Sequence, residues 1–106
     1  MKGGIVMVKL IALYKQPKDQ EKFDEHYKNV HTPITKEIPG LRKMEVTKIV
    51  GSPGGKSDYY LLCEMYYDDH DSLKQAMRTD ESKASGKDLM SFAGDIVTMM
   101  IGEEVE

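Results

Sequence analysis

Several features are scarce in this 106-residue chain, and each scarcity excludes a class of protein. There is one cysteine, Cys63, so no internal disulfide can form, and we expect a reducing, cytoplasmic location. No apolar run approaches the roughly 20 residues that span a bilayer, so we expect no membrane insertion. The net charge is −3, with acidic and basic residues interspersed, so no basic stripe predicts a nucleic-acid partner.

The sequence also lacks the motifs of common cofactor and catalytic sites. It has no HxxxH, no CxxC, no acidic cluster at metal-ligand spacing and no GxSxG. A glycine-rich loop at 51–56 ends in lysine, but it joins two predicted strands and does not match GxxxxGK[ST]. We therefore expect neither a metal nor an organic cofactor, and we interpret this loop as a flexible hairpin connection.

Hydrophobic periodicity predicts the order strand, helix, strand, strand, two helices, strand. The predicted strands cover 5–14, 41–50, 58–67 and 95–102; one helix covers 20–37, a short one follows 68–71, and another begins at 79–81 and stops at Gly94. This order is that of the split βαβ unit, an α+β ferredoxin-like fold with a four-stranded antiparallel sheet and helices on one face. We expect one domain over 1–106, with residues 1–6 and 103–106 loose.

The first predicted helix has one apolar face and one anomaly. Asp19 is placed to cap its start. Pro33 cannot donate to the carbonyl of Asn29, so we expect a kink or a tightened last turn there. The apolar residues recur at steps of four, three, four and four residues, which is the period of one helical face: Phe23, Tyr27, Val30, Ile34 and Ile38.

The composition of the strands predicts a homodimer. A sheet with one wet face shows apolar/polar alternation, but the first, third and fourth predicted strands are largely apolar on both faces. The helices of one chain cover only one face, and the other would be a large exposed apolar patch. We expect a second copy to pack against that face, sheet to sheet, about a twofold axis.

His31 is the first candidate for chemistry. It lies four residues after Tyr27, at the edge of the apolar helix face, where we expect it to be half-buried. One interpretation is a general base or a hydrogen-bond donor to a substrate; the other is a boundary histidine bonded to a backbone carbonyl. His26 is expected on the opposite flank, and a separation of five residues is poor for sharing a metal with His31.

Tyrosines form the second candidate site. Tyr14 and Tyr27 are expected to point into a cleft between the sheet and the first helix, and such a cleft suits a small apolar ligand with a carbonyl or phenol group. Aromatic packing within the sheet and at the dimer interface is the alternative interpretation.

Four segments together resemble the EthD family of the dimeric α+β barrel superfamily: VKLIALYKQP (8–17), FDEHYKNVHTPI (23–34), IPGL (38–41) and ESKASGKDLMSFAGDI (81–96). The phenylalanine, the aromatic four residues later and the His-x-Pro of that family fall on Phe23, Tyr27, His31 and Pro33. Tyr27 stands where relatives often have tryptophan. The resemblance implies a ferredoxin-like protomer, a homodimer whose sheets form a barrel, and a ligand cleft in each protomer.

The resemblance also implies a range of activities, because the superfamily includes cofactor-free monooxygenases, polyketide cyclases or decarboxylases, and lactone isomerases. We expect a cofactor-independent transformation of a small hydrophobic or aromatic metabolite. His31 would be catalytic, Tyr14 and Tyr27 would shape the ligand site, and Phe92 would close an apolar wall. The alternatives are a non-catalytic binding or accessory module, and a purely structural dimer whose cleft is filled by its own side chains.

Overall fold

The computed structural model describes residues 5–106 and confirms the predicted α+β ferredoxin-like architecture. The sheet is antiparallel throughout, with strand order β2-β3-β1-β4. The elements are β1 (Ile5–Lys15), α1 (Gln20–His26), a π-helical turn (Tyr27–His31), α2 (Thr32–Lys36), β2 (Lys43–Lys48), β3 (Tyr59–Tyr67), α3 (His70–Met77), α4 (Asp80–Ala93) and β4 (Val97–Val105). No helix within 5–106 combines the length and apolar character that a membrane crossing requires.

The strand boundaries differ from the prediction at two places. β2 is shorter than predicted and lies at a sheet edge, where its charged residues are tolerated. β4 runs to Val105, and Glu103 pairs with Val8, so the expectation of loose residues does not hold for 103–105. Ile5 and Val6 lie in β1, whereas residues 1–4 of the expected loose N-terminus lie outside the described residues.

The core lies between the sheet and the helices. Val8, Ala12 and Tyr14 alternate along β1 and are almost fully buried, as the strand period requires. Four of the helical segments, α1, the π-helical turn, α3 and α4, contribute buried apolar side chains, including Phe23, Tyr27, Leu73, Ala76, Leu89 and Ala93. Met77, at the end of α3, is about half exposed.

A register shift between β1 and β3 changes the orientation of Tyr60. Tyr14 pairs with Leu61 but Lys15 pairs with Tyr59, so Tyr60 is an extra residue on β3. Alternation predicts Tyr60 on the face away from the helices, yet its ring packs against Phe23 and its hydroxyl donates to Asp24 of α1. The irregular register therefore lets the first residues of β3 contact α1.

The first helix continues through Pro33 because the turn before the proline is widened. The Thr32 N–H donates to the carbonyl of Tyr27, five residues back, which defines the π-helical turn. A proline removes a donor and crowds the carbonyl four residues earlier, and a wider turn relieves both problems without ending the helix. The predicted tightening of the last turn also occurs, since the Glu37 N–H donates to Ile34, three residues back.

The π-helical turn moves the buried face by about one residue. The side chains buried after Tyr27 are His31, Thr35 and Ile38. Val30, predicted to belong to the apolar face, is 40% exposed. A regular helix of 3.6 residues per turn would have given the predicted face; the extra residue in the turn instead directs two polar side chains inward.

Replacing Gly40 with alanine tests the chain reversal after α2. Gly40 has a φ of +84°, which favours glycine, and no atom lies within 4 Å of an added Cβ. We expect Gly40→Ala to lower the free energy of unfolding by roughly 1–2 kcal/mol through backbone strain alone. Chemical denaturation measures it. Gly86→Ala, also in open space but within α4, should stabilise by roughly 0.5–1 kcal/mol. Equal effects of the two substitutions would contradict the positive φ assigned to Gly40.

Candidate functional site

Two concavities lie on opposite sides of the buried helix residues. The inner cavity, of about 330 Å³, lies between the sheet and the helices, and its polar lining includes Tyr14, His31, Thr35 and Ser85. Among residues 5–106, no lysine, arginine, aspartate or glutamate lines it. The outer groove, of about 480 Å³, is more open, carries charged side chains and includes His26. Although the outer groove is larger, the enclosed, uncharged cavity with a histidine has the features of a small-molecule site.

A carboxylate between two imidazoles joins the inner cavity to the outer groove. Nδ1 of His31 lies 2.9 Å from Oδ2 of Asp88, and Nε2 of His26 lies 2.9 Å from Oδ1 of the same residue. The two histidines are five residues apart, so the π-helical turn brings them onto one side of the helix. The expectation that His26 lies on the opposite flank is therefore wrong, because it assumed a regular helix.

The hydrogen bond to Asp88 determines which nitrogen of His31 is free. An ionised carboxylate only accepts hydrogen bonds, so Nδ1 of His31 carries the proton and donates it. In the neutral ring, Nε2 keeps its lone pair and lies 3.4 Å from Oγ1 of Thr35; both residues line the inner cavity. This is the tautomer that a general base requires.

Burial keeps His31 neutral. The residue is only 5% exposed, not half-buried as the sequence predicts. Desolvation lowers the pKa of His31 below its ordinary value of 6.5; the bond to Asp88 opposes this shift without overcoming it, and the nearby His26 adds to it. The ring is thus held as a base rather than as an imidazolium.

Two hydroxyl groups extend the polar end of the inner cavity. Oγ1 of Thr35 lies 2.7 Å from Oγ of Ser85, and both residues are buried. Thr35 comes from α2 and Ser85 from α4, so the pair also links the two helices. Together with Nε2 of His31, these groups can donate to and accept from a bound carbonyl or hydroxyl.

The aromatic residues form one packed cluster around the histidines. Tyr14 lines the inner cavity, and its ring meets those of Phe23 and Tyr27 edge to face. Tyr27 is not among the lining residues; its buried hydroxyl has no hydrogen-bond partner among residues 5–106, although the Cys63 thiol lies nearby. Phe92 lies against both His26 and His31 and lines the outer groove.

The other titratable groups of the inner cavity are held neutral. Burial raises the pKa of the Cys63 thiol to about 11, which makes it a poor nucleophile. Burial also raises the pKa of Tyr14, so its hydroxyl keeps its proton. Among the described residues that line this cavity, His31 is therefore the side chain that is able to take up a proton near neutral pH.

The sequence interpretation assigned no role to Asp88, Thr35 or Ser85. Asp88 lies 57 and 62 residues from its two histidine partners, so no local pattern connects them. The signal that was present is Pro33 in the middle of a helix, because a widened turn before it changes which residues face inward. Within the described part of the chain, no group of three or more His, Cys, Asp or Glu side chains has a metal-binding arrangement.

Comparison with known proteins places these residues in a family context. The family model described as EthD domain matches residues 15–95. A crystal structure of an ethyl tert-butyl ether d (EthD) family protein from Bacillus halodurans is 71% identical, with a TM-score of 0.92, and covers 93% of this chain and 99% of that one.

Two further relatives are more distant. An uncharacterised 11.0 kDa protein of the thcB–thcC intergenic region of Rhodococcus erythropolis is 29% identical over 92% of this chain and 95% of its own. A dimeric protein of unknown function with a ferredoxin-like fold, from Bacteroides fragilis, is 25% identical with a TM-score of 0.63, over 92% of this chain and 96% of that one.

The pKa of His31 predicts how stability depends on pH. Because the pKa is lower in the folded chain, the unfolded chain binds more protons between that value and 6.5. The contribution of His31 to the free energy of unfolding is therefore complete above pH 6.5. It decreases as the pH falls, by at most about 1.4 kcal/mol per pH unit. Urea denaturation between pH 7.5 and about 5 should show this slope, and His31→Asn should flatten it. An unchanged slope in the variant would contradict the assignment.

Proposed function

Because the chain belongs to the EthD family, and because a buried His–Asp pair faces an apolar cavity, we propose that it is an enzyme with His31 as its general base. The proposed substrate is a small, uncharged, hydrophobic or aromatic molecule, and the proposed reaction needs no metal or organic cofactor. The observation that carries the proposal is the hydrogen bonding of His31, a residue that lines the inner cavity: Nδ1 is held by Asp88, and Nε2 keeps a lone pair beside the hydroxyl of Thr35.

The cavity supports this class of substrate. Its volume of about 330 Å³ is near the lower end for ligand sites, so it suits a molecule of one or two rings. Since no charged side chain lines it, an ionised substrate would lose hydration without gaining a partner. A neutral molecule that places one acidic C–H or O–H group beside His31 suits both properties.

The proposed step is removal of that proton. Nε2 of His31 takes the proton, and the electron pair of the broken bond stays on the substrate. The hydroxyls of Tyr14 and of the Thr35–Ser85 pair are placed to donate to the anion that forms. Asp88 holds the ring in place and stabilises the imidazolium, much as a carboxylate does in hydrolase triads. Such an anion is a starting point for oxygenation, cyclisation or isomerisation.

The second candidate function is a carrier of a hydrophobic molecule. Five methionines line the inner cavity, and flexible thioether side chains adapt to ligands of different shape. They come from both sheet and helices: Met44, Met65, Met77, Met90 and Met99. A carrier needs this cavity but has no need for a basic nitrogen within it.

Hydrogen–deuterium exchange at the acidic carbons of 2-tetralone tests the base. This neutral two-ring ketone exchanges its α-hydrogens in deuterated buffer, and NMR follows the reaction. We expect the protein to accelerate exchange and His31→Gln to lower that acceleration by about 10²-fold or more. His70→Gln, at the surface histidine paired with Glu103, should leave it unchanged.

Binding of 2-tetralone separates the two candidate functions. Saturation-transfer NMR should detect binding by the folded protein and by His31→Gln alike. Binding without accelerated exchange in the unmodified protein would favour the carrier. Equal exchange rates for the protein and His31→Gln would contradict the role of His31.

We also propose that two copies associate through the sheet face opposite the helices. Residues in register across β1, β3 and β4 form its apolar centre: Ile11 with Met100, and Leu13 with Leu62. The dimeric description of the Bacteroides fragilis relative agrees with this proposal. A cytoplasmic location is proposed with it, because the single thiol, Cys63, is buried and free.

Placing a charge at the centre of that face tests the dimer. In Leu62→Glu, two carboxylates would be desolvated near the twofold axis, so we expect light scattering to give the mass of one chain instead of two. Val50→Glu is the control, because Val50 is 93% exposed in a loop. Two-chain assembly that persists in Leu62→Glu would place the interface elsewhere.

A further inference from the structure

His26 takes no part in the proton removal proposed for His31, although it contacts the same carboxylate. The three side chains lie in a row from the interior to the surface: side-chain exposure is 6% for His31, 14% for Asp88 and 32% for His26. His26 lines the outer groove, and His31 lines the inner cavity. The ring of Phe92 packs against both imidazoles, with a centroid distance of 4.4 Å to His26 and 5.1 Å to His31.

A buried carboxylate between two imidazoles couples their charges. One protonated ring forms a neutral pair with Asp88, and this arrangement is favourable in a partly buried site. A second protonated ring would add an unbalanced positive charge near the first, at a site too buried for full solvent screening. Each ring already donates one N–H to Asp88. The two rings therefore compete for one additional proton.

We propose that His26 and His31 share one positive charge across Asp88, so that His31 gains a proton from the substrate as His26 releases one to water in the outer groove. This inference rests on the proposed function for the source of the proton, but the coupling itself is a property of the free protein. It makes His26 a positioning residue that acts through Asp88 and touches no substrate.

The proton balance of the step is complete. In the proposed starting state, His26 carries the shared proton, Asp88 is a carboxylate and His31 is neutral. The substrate's C–H or O–H bond breaks, an N–H bond forms at Nε2 of His31, and Nδ1 of His26 gives its proton to water. His26 and His31 continue to donate to Asp88 through Nε2 and Nδ1, as in the structure. The total charge of the three residues does not change, so no extra charge is buried.

The surroundings of the two rings leave Asp88 as the main charged partner. On the outer side, the charged neighbours in the groove are nearly balanced, with two lysines and two aspartates: Lys18, Lys22, Asp19 and Asp95. On the inner side, Thr35 and Ser85 are neutral, and burial keeps Tyr14 and Cys63 protonated. The route through Thr35 and Ser85 ends in the inner cavity, so it offers the proton no exit once an apolar ligand fills that space.

NMR titration of the His31 ring in the ligand-free protein tests the coupling. In His26→Gln the competing charge is absent, so we expect the His31 midpoint to rise by roughly half a pH unit or more. In His26→Lys the charge is permanent, so the midpoint should stay in place or fall. A merely structural role of residue 26 would move both midpoints in the same direction. His70→Gln is the matched control and should leave the midpoint unchanged.

The outcomes of this titration test the coupling between His26 and His31 independently of the proposed function. A midpoint that rises in the Gln variant but not in the Lys variant supports the shared charge, even if 2-tetralone exchange is never accelerated. Unchanged midpoints, or equal shifts in the two variants, overturn it, even if His31 is shown to be the base. His26→Arg carries the same permanent charge and replaces the Lys variant if that protein does not fold. Where exchange is accelerated, its pH profile should shift with the His31 midpoint while the KM stays the same.

Discussion

The structure depends on one interaction, in which the carboxylate of Asp88 accepts hydrogen bonds from two imidazoles five residues apart on the first helix. That spacing fits the interaction only because a π-helical turn precedes Pro33. The same turn directs Thr35 toward Ser85 of α4 and leaves Val30 exposed. The attachment of the helix to α4, the tautomer of His31 and the polar end of the inner cavity therefore have a common origin in the local helix geometry.

Stability alone does not account for this arrangement. Burying an imidazole and a carboxylate costs desolvation energy, and well-packed apolar side chains often replace such pairs without loss of stability. The His26–Asp88–His31 group does attach the first helix to α4, but the Thr35–Ser85 pair and the packing of Phe92 do the same without charge. The proposed proton transfer accounts for a neutral His31 beside this cavity, whereas packing alone does not require it.

Much of the fold was predictable from the sequence, because strand alternation, helix caps and turn residues act locally. Asp19 caps α1, Thr79 caps α4 and Gly94 ends it, and the family resemblance is confirmed over residues 15–95. The site was predictable only in part. His31 was identified, but its burial, the inward turn of Thr35 and the approach of His26 follow from the π-helical turn, which a period of 3.6 residues cannot represent. Asp88 was missed because its partners are distant in sequence, and the orientation of Tyr60 depends on an irregular strand register.

The most direct test of the central claim is to measure the ¹⁵N chemical shifts of the His31 ring at pH 7, with and without saturating 2-naphthol. The neutral tautomer with Nδ1 bonded to Asp88 predicts a protonated Nδ1 and a bare Nε2, and a shift at Nε2 when the phenol enters the cavity and donates to it. A protonated Nε2 in the free protein, or an Nε2 signal that does not respond to bound 2-naphthol, would contradict the account.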